Sequence, residues 1–521
     1  MALTAAEQYL LELINRARLD PATEAARLGV DLNQGLAAGT IGTGAQQVLA
    51  HNSFLETSAQ RHSDWMLNTD TFSHTGVGGS NPTDRMRAAG FQFTGSWRSA
   101  ENLAFSGTTG TINLQSAIVQ HYEGLFHSAG HRVNTLNPGV AEIGVAQAEG
   151  RFTSNGTSFN ASILTENFAK TGTAVFITGV AYRDTDSNRF YSMGEGRNDT
   201  WVSADSARVT SAAAGGYQIG VDADARTIVS LGQGGSTLAT LMLDMAQGNV
   251  KLDIVTAATG RTTLDLSGSA SLLTGIADAR LLGSADLSLT GSTAANRLTG
   301  NSGANTVSDG GGAGVDILTG LTGNDSYIIR NAATLIVEGS GQGVADRVFA
   351  SVSFALAADD NIEFLQTTSV AGTAALALTG NAGAQQIFGN AGANVLAGLG
   401  GADRITGGGG ADRFVFAAVT DSLAGRYNCD TITDMQRGLD RIDLSQIDAN
   451  SLTSGAQDFR YIGSAAFGGL GAASAGQIRW QASSGTAGGV VIDADLNGDG
   501  IADMQITLST LKSLGVSDFI L

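Results

Sequence analysis

A nine-residue period restricts this chain more than any other feature. Gly389-Asn-Ala-Gly-Ala-Asn394-Val-Leu-Ala, Gly398-Leu-Gly-Gly-Ala-Asp403-Arg-Ile-Thr and Gly407-Gly-Gly-Gly-Ala-Asp412-Arg-Phe-Val succeed one another without a gap, after the looser Gly380-Asn-Ala-Gly-Ala-Gln385-Gln-Ile-Phe. A second array runs from Gly291 through Gly311-Gly-Ala-Gly-Val-Asp316-Ile-Leu-Thr to Gly320-Leu-Thr-Gly-Asn-Asp325-Ser-Tyr-Ile. Each unit supplies a glycine turn and a short strand with one inward apolar residue. One such unit cannot bury its apolar side alone, so copies must stack, and stacking aligns the oxygen donors at the sixth position. Aligned carboxylates repel until a hard cation bridges them, which couples folding to metal binding. No Gly-X-Y period is present and the chain has only 3 prolines, so collagen is excluded.

The pattern resembles the haemolysin-type calcium-binding repeats of RTX proteins, which implies a parallel β-roll over residues 263–428. Asn296, Asn305, Gln385 and Asn394 replace the acid, so the strongest Ca²⁺ sites are expected at the Asp316/Asp325 and Asp403/Asp412 pairs, with Asn394 a neutral donor. Between the arrays, Leu335-Ile-Val-Glu338 and Arg347-Val-Phe-Ala read as strands extending the same solenoid.

The charge follows the repeats. Of a formal net charge of −19, −15 falls in residues 171–521 and −4 in residues 1–170. Nucleic acid is excluded as a partner, since phosphate binding needs a basic face, and anionic membranes are disfavoured for the same reason. The acidity fits a hard cation or, more blandly, solubility. The single cysteine, Cys429, excludes an internal disulfide and any multi-cysteine metal site. No apolar run reaches the ~18 residues of a transmembrane helix. Met1-Ala-Leu-Thr-Ala-Ala-Glu lacks the features of a classical signal peptide. With 42% hydrophobic residues, a multidomain globular chain is expected.

All six histidines lie between His51 and His131, confining neutral-pH imidazole chemistry to the N-terminal part. Thr4-Ala-Ala-Glu7 reads as a capping box before a helix carrying Leu10, Leu11, Ile14 and Ala17. Further helices are expected from Asn52/Ser53 and over 113–127, with a strand over 160–169. Phe72-Ser-His74-Thr-Gly, Ala100-Glu101-Asn-Leu-Ala104 and His127-Ser-Ala-Gly-His131-Arg-Val-Asn134 together resemble the CAP (SCP/PR1-like) superfamily over residues 1–170. The resemblance implies an α+β domain, an α-β-α sandwich, with a cleft of two histidines and two acids. His74, Glu101 and His131 match three of these. The second acid is missing near Ser128, and Glu166 is the candidate substitute. Such a cleft can hold Zn²⁺ or another divalent cation for hydrolysis, or serve as an acid/base pair. Alternatively its histidines only tie loops together while the cleft binds a lipid, peptide or envelope polymer. His62 shares a helical face with Leu55, Ala59 and Met66 and reads as a core histidine, and no His-Glu-x-x-His occurs.

Short alternating strands follow over 173–262. Between them Asp184-Thr-Asp186-Ser-Asn188-Arg189 leads to Glu195, placing oxygen donors at EF-hand positions 1, 3, 5 and 12. Arg189 stands where that loop has glycine, so its turn is expected to differ, and an ordinary Asp/Asn turn is the alternative. The segment resembles the small calcium-binding β-sandwich repeats of bacterial adhesins (SdrD B-like), which also admits a surface-matrix role.

In residues 429–521, Asp493, Asp495, Asn497 and Asp499 with Gly498 again suit Ca²⁺, although Met504 replaces the closing Glu. The sequence ends Ser517-Asp-Phe-Ile-Leu521. Together these resemble the C-terminal domain of serralysin-type secreted proteins, a β-rich cap that carries an uncleaved type I export signal. The combined expectation is a secreted, extracellular calcium-binding protein. Its partners would be the type I secretion machinery and an extracellular ligand of the CAP domain.

Overall fold

The computed structural model describes residues 2–223, 226–425, 427–483 and 489–521. It resolves two compact units, one of residues 1–292 with 300–303, the other of residues 293–299 with 304–521.

The first unit opens with α1 (Ala5–Leu19), started by the expected capping box: Glu7 N–H donates to Thr4 Oγ1, and Thr4 N–H to Glu7 Oε2. Asp20 caps α2 (Pro21–Arg27), and strand β1 (Ala50–His51) leads through the cap Asn52 into α3 (Ser53–Asn68). Then come α4 (Pro82–Ala88), β2 (Arg98–Thr108), α5 (Leu114–His127), α6 (Ala129–Thr135), β3 (Glu142–Ser154) and β4 (Thr157–Lys170). The sheet order is β1-β3-β4-β2, with β1 parallel to β3 and the other pairs antiparallel.

Alternation along β4 determines the layering. Leu164 and Phe168 join α1 and α5 in one apolar cluster, whereas Ala161 and Ile163 pack with Met66 of α3, and Ala169 with Leu55 of α3 and Met86 of α4. Helices therefore cover both faces of the sheet. At Gly144 of β3 an added Cβ would lie 2.0 Å from the Glu56 backbone nitrogen, so α3 sits directly on the strand.

In the same unit β5 (Val175–Asp184) lies between the strand 216–221, antiparallel, and the strand 250–257, parallel. Pairing continues beyond residue 262: 250–257 pairs with 262–266, and 236–243 with 270–274. On its 250–257 side this sheet is thus continued by the strand that follows, which pairs ladder groups that would otherwise be exposed. This sheet is joined to α1 by a buried ion pair, Lys251 Nζ to Glu12 Oε2 at 2.7 Å. Asn249 Nδ2 adds hydrogen bonds to the carbonyls of Val48 and Ala141.

The second unit is rich in parallel strands of three or four residues, consistent with a β-roll. Partners are two repeats apart: Gln386 pairs with Arg404 and Val395 with Arg413, an 18-residue step, because successive nonapeptides cross to opposite sheets. The segment between the arrays joins in, 335–337 beside 317–319 and 347–350 beside 326–329. In the three-residue strands between 377 and 415 only the middle residue is fully buried: Leu378, Ile387, Leu396, Ile405 and Phe414. Strands 477–482, 490–495 and 504–508 form an antiparallel meander, its last member parallel to 430–432. Phe519–Ile520 pairs with 441–443.

Because each short strand contributes one buried apolar residue to a narrow interior, there is little capacity to collapse around a deletion. Phe414→Ala is expected to destabilise this unit by about 3–5 kcal/mol, read as a lowered urea midpoint at unchanged m.

Candidate metal centres and the histidine cleft

The sixth-position side chains form hydrogen-bonded ladders. Asp403 Oδ1 accepts from the Gln385 N–H at 2.7 Å, and Asp430 Oδ1 from the Asp403 N–H at 2.8 Å. On the opposite sheet Asp412 Oδ1 accepts from Asn394 N–H, and Asp440 Oδ1 from Asp412 N–H. In the first array the same bonds link Asn296 to Asp316, Asn305 to Asp325, Asp325 to Asp346 and Asp346 to Glu363.

Each such carboxylate spends one oxygen on the preceding turn. The other oxygens of Asp346, Asp403, Asp412 and Asp430 are buried with no hydrogen-bond partner among the described residues. These oxygens fill the space beneath the turn glycines: a Cβ on Gly398 would lie 2.1 Å from Asp403 Oδ2, and one on Gly407 2.4 Å from Asp412 Oδ2. Burial pushes the carboxyls up, Asp316 and Asp412 to about 6, Asp403 to about 7 and Asp430, which also faces Asp403, to about 9. Buried, unpartnered hard oxygens fit a hard cation such as Ca²⁺ and do not fit a soft one.

The ladders change which residues meet. Asp403 faces Asp430 and Asp421, and Asp412 faces Asp440 and Asp434, so consecutive repeats do not form the pairs expected from adjacency. Likewise Asp325 gathers with Glu338 and Asp346, ligand oxygens within 4.8 Å of one another, all buried. Tyr327 Oη donates to Glu338 Oε2, leaving Oε1 without a partner, and burial raises Glu338 to about 8. Sequence reasoning missed Glu338, Asp346, Asp430 and Asp440. A signal for Asp346 does exist: Gly341-Gln-Gly-Val-Ala-Asp346-Arg-Val is a degraded nonapeptide.

Of the two other candidate calcium loops, one assembles. Asp184, Asp186 and Glu195 bring ligand oxygens within 4.8 Å of one another, and Asp184 Oδ1 is buried without a partner. Glu195 is held by Thr185 N–H and Ser192 N–H, and Asn188 Nδ2 donates to Asp186 Oδ2. The turn does not differ as expected, since Arg189 takes the left-handed conformation itself, at φ 57°. In the C-terminal loop, Asp493, Asp495, Asn497 and Asp499 do not assemble. Asp493 is taken by Arg479 from the neighbouring strand at 3.0 Å. Asp495 accepts from the N–H groups of Gly498 and Gly500, and Asp499 from Ile501 N–H. Asn497 Oδ1 accepts from Asp499 N–H, while its Nδ2 donates to Asp503.

In the histidine cleft, His74 Nδ1 and Glu101 Oε1 are 2.9 Å apart, and Arg85 Nη2 donates to Glu101 Oε2 at 2.5 Å. Both oxygens of Glu101 are therefore engaged, one by a cation that the sequence did not single out. His131 is half-buried with Nδ1 unpartnered, and burial together with the nearby His74 lowers its pKa. Among the described residues, His74, Glu101 and His131 do not converge as a three-ligand metal group. Glu166 cannot be the second acid. It pairs across the strands with Asn102, while Glu101 pairs with Asn167, so the pleat sends Glu101 and Glu166 to opposite faces. Asn102 Nδ2 donates to Glu166 at 3.0 Å, and burial lifts Glu166 to about 7. His62 is buried, bonded to the Ser73 carbonyl, and lowered by burial to about 4. The aromatic rings of Phe72 and Phe105, both exposed, meet edge to face 6.1 Å apart.

Among the described residues no helix is long and apolar enough to cross a membrane. Comparison with known proteins places these features. The sequence model of the cysteine-rich secretory protein (CAP) family matches residues 11–168. No curated protein matches the chain. A solved extracellular SCP-domain protein of Bacillus anthracis is 22% identical over 24% of this chain and 35% of its own, at a TM-score of 0.18. The chain thus spans about a third of that relative. An outer surface protein of Borrelia burgdorferi is 18% identical over 32% of this chain and 93% of its own, at a TM-score of 0.20. A subunit of the Azotobacter vinelandii mannuronan C5-epimerase is 24% identical over 30% of this chain and 87% of its own, at a TM-score of 0.21. The Peptidase M10 serralysin C-terminal model matches residues 258–521, half of the chain, which therefore belongs to that family and carries a CAP domain ahead of it.

Proposed function

We propose that this is an extracellular calcium-binding protein, exported by a type I route, whose repeats fold on Ca²⁺ and present the CAP domain to an extracellular ligand. In this reading residues 1–170 are an α-β-α sandwich and 173–262 a small β-sandwich, followed by a β-roll to 428 and a β-rich cap to 521. The observation that carries it is the row of buried carboxylate oxygens without partners at Asp346, Asp403, Asp412 and Asp430. Bound Ca²⁺ supplies the positive charge these oxygens lack. Asp316, Asp325, Asn394 and Glu338 would add donors along the ladders, and Asp184, Asp186, Asn188 and Glu195 would form a separate site. Extracellular modules of this kind bind with Kd of order 10⁻⁴–10⁻³ M, so the chain would stay unfolded where calcium is scarce and fold on export.

For the CAP domain, binding is favoured over metal-dependent hydrolysis. Glu101 already has both oxygens engaged by His74 and Arg85, and the exposed Phe72 and Phe105 offer apolar surface to a ligand with an apolar part.

Four outcomes follow. EDTA should abolish most of the β-sheet circular-dichroism signal of the repeats, and excess Ca²⁺ should restore it; an unchanged spectrum would sink the calcium reading. Asp403→Asn with Asp412→Asn should raise the calcium midpoint about tenfold or more, roughly 1.4 kcal/mol or above, in the same titration. Protons compete for the same oxygens. For carboxyls raised by folding, the stability of the metal-free form is complete below about pH 4, the unfolded range. It is then lost as pH climbs through about 6 for Asp412, 7 for Asp403 and 9 for Asp430. Metal-free protein should therefore keep more sheet signal at acid pH than at alkaline pH, and the calcium midpoint should fall as pH rises. For the cleft, metal analysis after dialysis against Zn²⁺ should find no stoichiometric zinc that a His74→Ala/His131→Ala double variant loses.

A further inference from the structure

One wall of the second unit is interrupted. Leu335–Val337 pairs with 317–319 and ends its sheet, while Phe354–Ala355 pairs with 377–379 and starts another. Among the described residues these two strands do not pair with each other. The other sheet passes the same point unbroken, from 326–329 through 347–350 to 364–367. The two repeat arrays therefore meet at a seam where one of the two ladders is missing, although stacked repeats depend on contact with their neighbours.

Three acids gather at that seam. Glu338 directly follows Leu335–Val337, whereas Asp325 and Asp346 directly precede 326–329 and 347–350. A cation held by all three would tie the last strand of the broken wall to two strands of the continuous one. All three side chains are buried, and Glu338 Oε1 and Asp346 Oδ2 have no hydrogen-bond partner among the described residues. The charges acting on Glu338 are those of Asp346, Asp325 and Glu363, all negative. The Gly323 carbonyl adds a neutral oxygen: a Cβ on Gly343 would lie 2.1 Å from Asp346 Oδ2 and 2.4 Å from the Gly323 oxygen. In the loop 184–195, by contrast, Asp186 is exposed and its oxygens already accept from Asn188 and Ser192. On the ladders, Asp403 and Asp412 follow the neutral Gln385 and Asn394. Calcium affinity rises with the number of ligating carboxylates and with the rigidity of the site.

We propose that Asp325, Glu338 and Asp346 form the tightest calcium site of the repeats, a staple joining the two arrays where their wall is broken. The proposal rests on the calcium reading above and adds an order of occupancy to it. The test holds the full chain in chelator-buffered calcium, counting bound ions by equilibrium dialysis and following the sheet signal by circular dichroism. At free calcium tenfold below the level that halves the sheet signal, Glu338→Gln should hold one ion fewer than the unaltered chain. Asp403→Asn with Asp412→Asn should still hold that ion. A second measurement uses Tb³⁺, a calcium substitute that emits when a neighbouring tyrosine is excited. Tyr327 donates a hydrogen bond to Glu338, so its ring lies beside the site. In an Asp184→Asn/Asp186→Asn background, less than one equivalent of Tb³⁺ should give emission that Tyr327→Phe reduces at least fivefold. Equal tight calcium in the unaltered chain and Glu338→Gln, or emission unchanged by Tyr327→Phe, would overturn this assignment alone. A chain that binds no calcium would overturn the calcium reading with it.

Discussion

The repeat region depends on one constraint, that a buried carboxylate has two oxygens and the fold satisfies one. The N–H of the preceding turn reaches Oδ1 of Asp403 and of Asp412, at 2.7 and 2.8 Å, and none of the described residues hydrogen-bonds Oδ2. An ionised carboxylate left this way is far more costly than an unmade neutral hydrogen bond. The glycines follow from the same constraint. At Gly398 and Gly407 the Cβ position is occupied by that second oxygen, so the acid and the glycine of the motif are two sides of one packing event. Short strands, a narrow interior and excess negative charge are then consequences of stacking many such turns.

How much of this was legible depends on what repeats. The period located the strands, since the apolar residue two positions after the sixth is the buried one at Ile405 and Phe414. It did not reveal which acids meet. Each nonapeptide makes half a turn, so contacts skip one repeat, and adjacency in sequence misassigned Asp316 with Asp325 and Asp403 with Asp412. Asp430 lies 27 residues beyond Asp403, after an insertion that hides its register. Glu338 comes from a strand segment with no motif, and only the fold brings it to Asp325 and Asp346.

The N-terminal domain shows the same division. Three motifs pointed to the CAP family, whose model matches residues 11–168, and the capping signals at Thr4 and Asn52 placed two helices within a residue. Arg85 left no trace in the motifs, because α4 carries it to Glu101 from 16 residues away. Its arrival changes the chemistry. A carboxylate held between an imidazole and a guanidinium is a positioned structural anion, with less capacity to serve as a metal ligand or base. The exclusion of Glu166 needed only the pleat, but the pleat applies only once the pairing of Asn102 with Glu166 is fixed.

The contact between the N-terminal helices and the small β-domain could not be read from sequence at all. Lys251 and Asp253 are two residues of an alternating strand, and Glu12 is one of several polar residues on α1. Folding places the ammonium between two carboxylates, all three nearly excluded from solvent. Burial and the Glu12 charge push Asp253 up while Lys251 pulls it down. Such a network adds little net stability over an apolar contact, because desolvation offsets most of the attraction. It does penalise misalignment, since any shift leaves a buried charge unpaired. The first unit is therefore keyed internally by charge, its helix α1 fixed against the strand that bears Lys251 and Asp253.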